Sequence, residues 1–140
     1  MSALRSLDGD SITITVEGVP VPQGSKTIVR RSGKAWMIDA NADRLKEWRA
    51  RVANAADIGL TFDAPVCVGY EFVFPRPKRP RFLRHAVKPD LDKLIRAVND
   101  GLTDGGLLSD DARISAQSFT EKRYAEPGEE PHAVVTVTAW

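Results

Sequence analysis

Cysteine and histidine are scarce in this chain of 140 residues, which contains one Cys and two His. A single cysteine cannot build a disulfide framework, and Cys67 lies in the apolar run PVCVGYEFVF, where we expect a buried free thiol suited to a reducing cytoplasm. His85 and His132 lie in unrelated contexts, which argues against a zinc site or a catalytic triad built on histidine. We expect both imidazoles on the surface.

Long apolar runs are absent as well. No stretch reaches the roughly 18 apolar residues that a membrane-spanning helix needs, and the first residues, MSALRSLDGD, lack the apolar centre of a signal peptide. We therefore expect a cytoplasmic protein with no membrane partner. The length suits one domain with its own core, so we take residues 1–140 as a single domain.

Acidic residues are missing from two segments, 18–38 and 72–89, although the net charge is only +1. Clustered cations attract an anionic polymer, so both segments are candidate DNA-binding regions. The cations are Lys26, Arg30, Arg31 and Lys34 in the first segment, and Arg76, Lys78, Arg79, Arg81, Arg84 and Lys88 in the second. The run RPKRPRFLRHAVKP in the second segment also contains three prolines, which oppose regular structure, so we expect an exposed, mobile loop.

Periodicity in the sequence predicts six strands and two helices. The strands are SITITVEG, a hairpin of SKTIVRR and AWMID around Ser32-Gly33, then VCVGYEFVF, ISAQSFTEKRYA and HAVVTVTAW. The first helix runs from Ala42 to about Asp57 with Asn41 as its N-cap, and the second follows Asp90. The order β-β-β-α-β-α-β-β indicates a two-layer α+β domain, with helices packed on a mixed sheet and VCVGYEFVF at a central position.

Four carboxylates surround the second helix. Asp90 and Asp92 begin it, and Asp110 and Asp111 follow the break at Gly105-Gly106. Each pair alone has a structural explanation, because aspartate caps helices and marks turns. Together they suggest oxygen ligands for a hard divalent cation, although the spacing fits neither an EF-hand nor a phosphate-binding P-loop.

One side of this helix is polar. At about 100° per residue, Asp92, Arg96, Asn99 and Asp100 share a side opposite the apolar series that begins at Leu91. The alternative to a functional role is a solvated face in which Arg96 pairs with Asp92 and Asp100. A cation held by carboxylates beside a basic loop could polarise a phosphodiester and activate water, so phosphodiester hydrolysis is the chemical hypothesis.

The segment KPDLDKLIRAVNDGLTDGGLLSDDAR resembles the signature of the RusA family of Holliday-junction resolvases. The resemblance implies that Asp90, Asp92 and Asp111 are catalytic ligands of Mg²⁺, with Mn²⁺ able to substitute, and Asp110 is a further candidate ligand. Two positions depart from the family pattern: Lys93 stands where asparagine is usual, and Arg96 stands where a lysine important for cleavage is usual. Arginine keeps the charge but is rarely deprotonated, so we expect Arg96 to clamp phosphate and Lys93 to contact DNA.

The resemblance further implies a homodimer that nicks a four-way junction symmetrically during recombination and repair, in a bacterial cell or a phage-infected host. Two other functions stay open. One is a less selective nuclease for branches or flaps in phage DNA packaging, and the other is a non-catalytic DNA-binding module. A glycosyltransferase D-x-D site is disfavoured because the sequence lacks the α/β pattern of a nucleotide-sugar fold.

Overall fold

A computed structural model describes residues 10–24, 26–39 and 41–140, with the backbone alone for 26–31 and 34–39. The strands are β1 (Ser11–Glu17), β2 (Lys26–Arg31), β3 (Lys34–Asp39), β4 (Val66–Phe74), β5 (Ile114–Tyr124) and β6 (His132–Ala139). The helices are α1 (Ala42–Ala56) and α2 (Leu91–Asp104), and a single 3₁₀ turn covers Asp111–Arg113. This order confirms the predicted β-β-β-α-β-α-β-β sequence of elements.

Four strands form one mixed sheet in the order β1-β6-β4-β5. The β1/β6 and β6/β4 pairs are antiparallel, whereas β4 and β5 are parallel. A parallel pair needs a crossover, which the basic segment and α2 provide between β4 and β5. The prediction that β4 is central is confirmed, and β5 forms one edge of the sheet. The β2–β3 hairpin pairs separately, with positive φ at Ser32 and Gly33 in its turn.

Buried and exposed side chains alternate along the strands, which places the core on one face of the sheet. Val66, Val68, Tyr70 and Phe72 of β4 are buried and share a core cluster with residues of both helices. The first helix contributes Leu45, Trp48, Val52 and Ala56, and the second contributes Leu94, Ala97, Val98 and Leu102. Both helices thus cover the same face, which is the predicted two-layer α+β arrangement. No helix in the described ranges has the length and apolarity needed to cross a membrane.

The two helices approach closely because glycine removes side chains from their contact. A Cβ at Gly101 would lie 2.6 Å from the Val52 side chain, and a Cβ at Gly105 would lie 2.2 Å from the Ala53 carbonyl oxygen. Any larger residue at either position would force the helices apart. The spacing of α1 and α2 therefore depends on these two glycines.

Two local predictions need correction. Asn41 occupies the N-cap position of α1 as predicted, but its backbone is left-handed (φ 63°) and its side chain makes no capping hydrogen bond. Cys67 is free, as predicted, but only half-buried, because it lies on the sheet face that the helices do not cover. That face is largely polar; for example, the Thr13 and Thr136 hydroxyl groups are 3.2 Å apart on it.

Candidate active site

The first turn of α2 displays two carboxylates. Asp90 occupies the N-cap position with extended backbone, yet its side chain accepts no hydrogen bond from the helix N–H groups. Its carboxylate instead lies 3.8 Å from the Lys93 ammonium, in an exposed ion pair. Asp92 is also exposed and has no ion pair or hydrogen bond among the described side chains. Capping through these side chains does not explain the two carboxylates, although charge near the positive end of the helix still contributes.

The polar side of α2 is confirmed. The alternative interpretation, in which Arg96 pairs with Asp92 and Asp100, is not. Arg96 is exposed and forms no ion pair with another described residue. Arg49 of α1 supplies the positive charge for this side instead, since its guanidinium lies 4.0 Å from Asp100 and 2.8 Å from Asp104. The guanidinium of Arg96 therefore faces solvent, where it is available to an incoming anion.

Lys122 of β5 fixes the chain just before Asp90, and the sequence analysis missed it. Its ammonium donates to the carbonyls of Val87 and Pro89, the latter at 2.8 Å. Burial lowers the pKa of Lys122, and the negative charge of Asp90 opposes that shift. A signal was present in the sequence, because Lys122 lies two residues before Tyr124 in the predicted strand, so the two side chains point to the same face. In the structure Lys122 lies beside buried Phe72. A charged residue at an inward position of a strand indicates a specific role.

The basic segment lacks regular structure, as predicted, but His85 anchors it. We expected His85 on the surface, and that prediction is wrong, because its imidazole is 7% exposed between the rings of Phe74 and Tyr124 at 4.6 and 4.8 Å. Burial lowers the pKa of His85, and the charge of Lys122 lowers it further. A neutral imidazole packs as an aromatic side chain, so three rings and Lys122 hold the loop on the sheet.

Most cations of this loop are exposed to solvent. Arg76 packs over the Tyr124 ring at 5.6 Å, and Arg84 lies 4.0 Å from Glu121. Arg79 and Arg81 have exposed side chains and no ion pair with a described residue. The loop therefore presents positive charge directly in front of Asp90. Lys26, Arg30 and Arg31 lie in β2, and their side chains are outside the described part of the structure.

The turn before β5 carries Asp110 and Asp111 and is held by the segment before β4. Phe62 forms a parallel bridge with Leu108, through N–H···O bonds of 2.7 and 3.0 Å that involve Leu107 and Ser109. The Asp63 carboxylate accepts from the Ser109 hydroxyl and from Arg113 Nε at 3.0 Å. These contacts join residues about fifty positions apart, so local sequence patterns could not reveal them.

Carboxylates crowd one another at this turn. The Asp110 carboxylate accepts a hydrogen bond from the Ala112 N–H at 2.8 Å. This bond and a hydrogen bond with the Asp111 side chain both lower the pKa of Asp110. The hydrogen bond with Asp110 raises the pKa of Asp111, as do burial and the charges of Asp110 and Asp100. The charge of Asp111 in turn contributes, after burial, to raising the pKa of Tyr70, whose hydroxyl donates to Asn99 at 2.6 Å. Mutual repulsion of this kind is relieved by a bound cation.

The carboxylates form two groups along α2. Asp90 and Asp92 lie at its start, whereas Asp111 lies within electrostatic range of Asp100. Asp100 itself is about 12 Å further along the helix axis than Asp92, at a rise of 1.5 Å per residue. Their oxygen donors suit a hard divalent cation in chemical type. No cluster of three or more His, Cys, Asp or Glu able to hold a metal ion occurs within the described ranges.

Comparison with known proteins identifies the family. The family model described as Endodeoxyribonuclease RusA matches residues 17–138, which is most of the chain. The chain is also 31% identical over 106 residues to the uncharacterized protein YqaN of Bacillus subtilis (strain 168), an alignment that covers 66% of this chain and 75% of the relative. The family match includes α2, the basic loop and the Asp110–Asp111 turn. The chain therefore belongs to the RusA endodeoxyribonuclease family.

Proposed function

We propose that this protein is a divalent-metal-dependent endonuclease that resolves four-way DNA junctions by paired symmetric nicks. Its active unit is a homodimer in which each protomer contributes one endonuclease domain, and it acts in recombination or repair in the cytoplasm of a bacterium or a phage-infected host. The endodeoxyribonuclease activity follows from the family. The choice of substrate, the metal and the dimer are the proposal.

One observation carries the proposal: the anchored basic loop leads directly into the carboxylates of α2. Lys122 holds the carbonyls of Val87 and Pro89, and the next residue is Asp90. A DNA backbone attracted by the exposed arginines would therefore bring a phosphodiester to the first turn of α2. Because Asp90 and Asp92 are not used for capping, their oxygens are available there.

The metal we propose is Mg²⁺, with Mn²⁺ as a substitute. Asp90 and Asp92 would hold it at the start of α2, and Asp111 would hold it at the turn before β5. The raised pKa of Asp111 supports a cation near that residue, and the exposed carboxylates of Asp90 and Asp92 support one at the start of α2. Such an ion polarises a phosphodiester and activates a water nucleophile. The chain itself positions the phosphate through Arg96 and the loop, and Lys93 offsets charge beside Asp90.

A twofold dimer suits this substrate. Resolution of a four-way junction requires two nicks related by symmetry, and a homodimer with closed twofold symmetry presents two identical sites in that relation. A monomer would nick once and would have to rebind. We therefore expect the two nicks to be made within the lifetime of one complex.

The test uses a synthetic four-way junction, with a matched linear duplex and a flap as control substrates. In Mg²⁺ we expect symmetric nicks in two opposing arms, no cutting of the duplex and no cutting in EDTA. Equal cutting of junction and flap would instead support a less selective branch nuclease of DNA packaging. Tight junction binding with no nicks in Mg²⁺ or Mn²⁺ would support a non-catalytic binding module and overturn the proposal.

A further inference from the structure

A pocket of about 440 Å³ opens beside Asp90, and the proposed chemistry makes no use of it. Its walls include apolar surface from Val19, Pro20, Pro22, Phe74 and Pro89. Phe74 is the last residue of β4, and Pro20 and Pro22 lie in the segment after β1. A cavity of this size, with mostly apolar walls and a few polar groups, is typical of a binding site for a small ligand.

The charged groups at this pocket have a definite arrangement. Arg44, Lys88 and Lys93 line it together with Asp90, so three cations accompany one carboxylate. Apolar walls favour a flat ring, and cations beside them favour a phosphate attached to that ring. A nucleotide of a DNA strand has both parts. Because Asp90 lines the pocket and is a proposed metal ligand, a phosphate attached to the bound base would lie near the proposed scissile bond.

Gln23 adds a hydrogen-bonding group to the lining. Its backbone N–H donates to the Lys93 carbonyl at 2.9 Å, which fixes the segment after β1 against α2. Its side-chain Oε1 is buried and has no hydrogen-bond partner within the described part of the chain. A buried acceptor without a partner is unfavourable, and an N–H donor entering the pocket would satisfy it after a small rotation of the amide.

We propose that this pocket receives one nucleobase, unstacked from the DNA at the branch point, next to the phosphodiester that is cut. This inference rests on the proposed function and adds to it a site that binds a DNA base beside the metal centre. Bases at a branch point unstack at lower cost than bases inside a duplex, so the pocket favours junctions over linear DNA. The Gln23 Oε1 atom can accept from the N–H donors that every unstacked base presents on its Watson–Crick edge.

The test places 2-aminopurine, a base that fluoresces when unstacked, at each position around the mapped nick. Binding of the wild-type protein in EDTA should raise the fluorescence at one position by about twofold or more. Val19→Trp fills the pocket from a residue that is 39% exposed, and it should abolish this rise. The control is Asn54→Trp, which adds the same indole at an exposed position near Gly105, away from the pocket lining, and should keep the rise.

A second variant tests the hydrogen bond without filling space. Gln23→Met removes the acceptor and should reduce the fluorescence rise at the responding position, and an undiminished rise would overturn the role of Gln23. Wild-type protein that nicks the junction with no fluorescence response at any position would overturn this inference and leave the proposed function intact. A response that survives in Val19→Trp would overturn it as well. If the wild type nicked no junction, the proposed function itself would be overturned, and this inference with it.

Discussion

Asp92 is exposed in the first turn of α2 and has no partner among the described residues, so its charge serves either the helix or the chemistry. We expect Asp92→Asn to lower junction cleavage by at least about 100-fold while junction binding stays equal or tightens, because a metal ligand is lost and repulsion of phosphate falls. The matched control is Asp43→Asn, which removes the same charge from the first turn of α1. Equal turnover in the two variants would assign Asp92 to the helix alone. Single-turnover rates and binding in EDTA measure both effects.

Substitutions of Arg96 distinguish two possible requirements of cleavage at this position, a positive charge and a group that transfers a proton. It makes no ion pair with Asp92 or Asp100, so its removal should cost little stability. If the guanidinium stabilises charge on the phosphate, Arg96→Ala should lower the rate by about 100-fold and Arg96→Lys should keep or raise it. Single-turnover rates at saturating enzyme, with thermal unfolding as the control, provide the measurement. Near-parental cleavage by the alanine variant would reject a catalytic role.

At the scale of elements, the anchoring of the basic loop to β5 makes Lys122 the most informative position. Lys122→Met loses two charge-assisted hydrogen bonds to the Val87 and Pro89 carbonyls, so unfolding should become easier by about 1 to 3 kcal/mol. Cleavage should fall further than stability accounts for, because Asp90 follows directly. Lys78→Met removes the same charge from an exposed position in this loop and should leave stability unchanged. Urea unfolding and single-turnover cleavage of both variants test this; equal stabilities would contradict the anchor.

The stability that His85 contributes to the attachment of this loop depends on pH. Burial lowers its pKa below the ordinary value near 6.5, so the folded state resists protonation while the unfolded state does not. The contribution of a neutral His85 is therefore full above pH 6.5 and decreases as pH falls from there toward the folded pKa. His85→Phe keeps a ring between Phe74 and Tyr124 without titrating, so its stability should fall less between pH 8 and pH 5. Urea unfolding at several pH values measures the difference, since His132 and the carboxylates are common to both proteins. Parallel pH curves would contradict the buried neutral state.

Local pattern and long-range contact explain what the sequence could and could not reveal about these elements. The strands, the two helices and the hairpin turn at Ser32-Gly33 follow from periodicity and turn chemistry, which act over a few residues. The exposed first turn of α2 follows from the same helical geometry. The burial of His85 depends on β4 and β5 meeting, and the Asp110–Asp111 turn depends on the Phe62–Leu108 bridge. Neither contact has a local signature, so both were missed.

At the scale of the whole molecule, the distribution of charge matters more than its sum. The chain has a net charge of only +1, yet the loop before α2 is wholly free of acids. If Arg79, Arg81 and Arg84 each neutralise one phosphate, the triple alanine variant should reduce the salt slope of log affinity by roughly 2 to 3 units. Arg84 is the weakest of the three, because Glu121 lies 4.0 Å from it. Binding to one junction across a series of salt concentrations gives the slope, and an unchanged slope would show that the loop is only solvated surface.

The close contact of the two helices affects how a mutational survey of this protein would read. Gly101 and Gly105 have no side chain that could bind metal or phosphate, yet a Cβ at either position would collide with α1. A survey scored by cleavage alone would therefore rank both glycines beside the aspartates. Scoring protein abundance in parallel separates the two groups: variants of Gly101 and Gly105 should be lost from the cell, whereas Asp92→Asn should accumulate at the normal level. A position that tolerates no substitution here marks either chemistry or the spacing between α1 and α2.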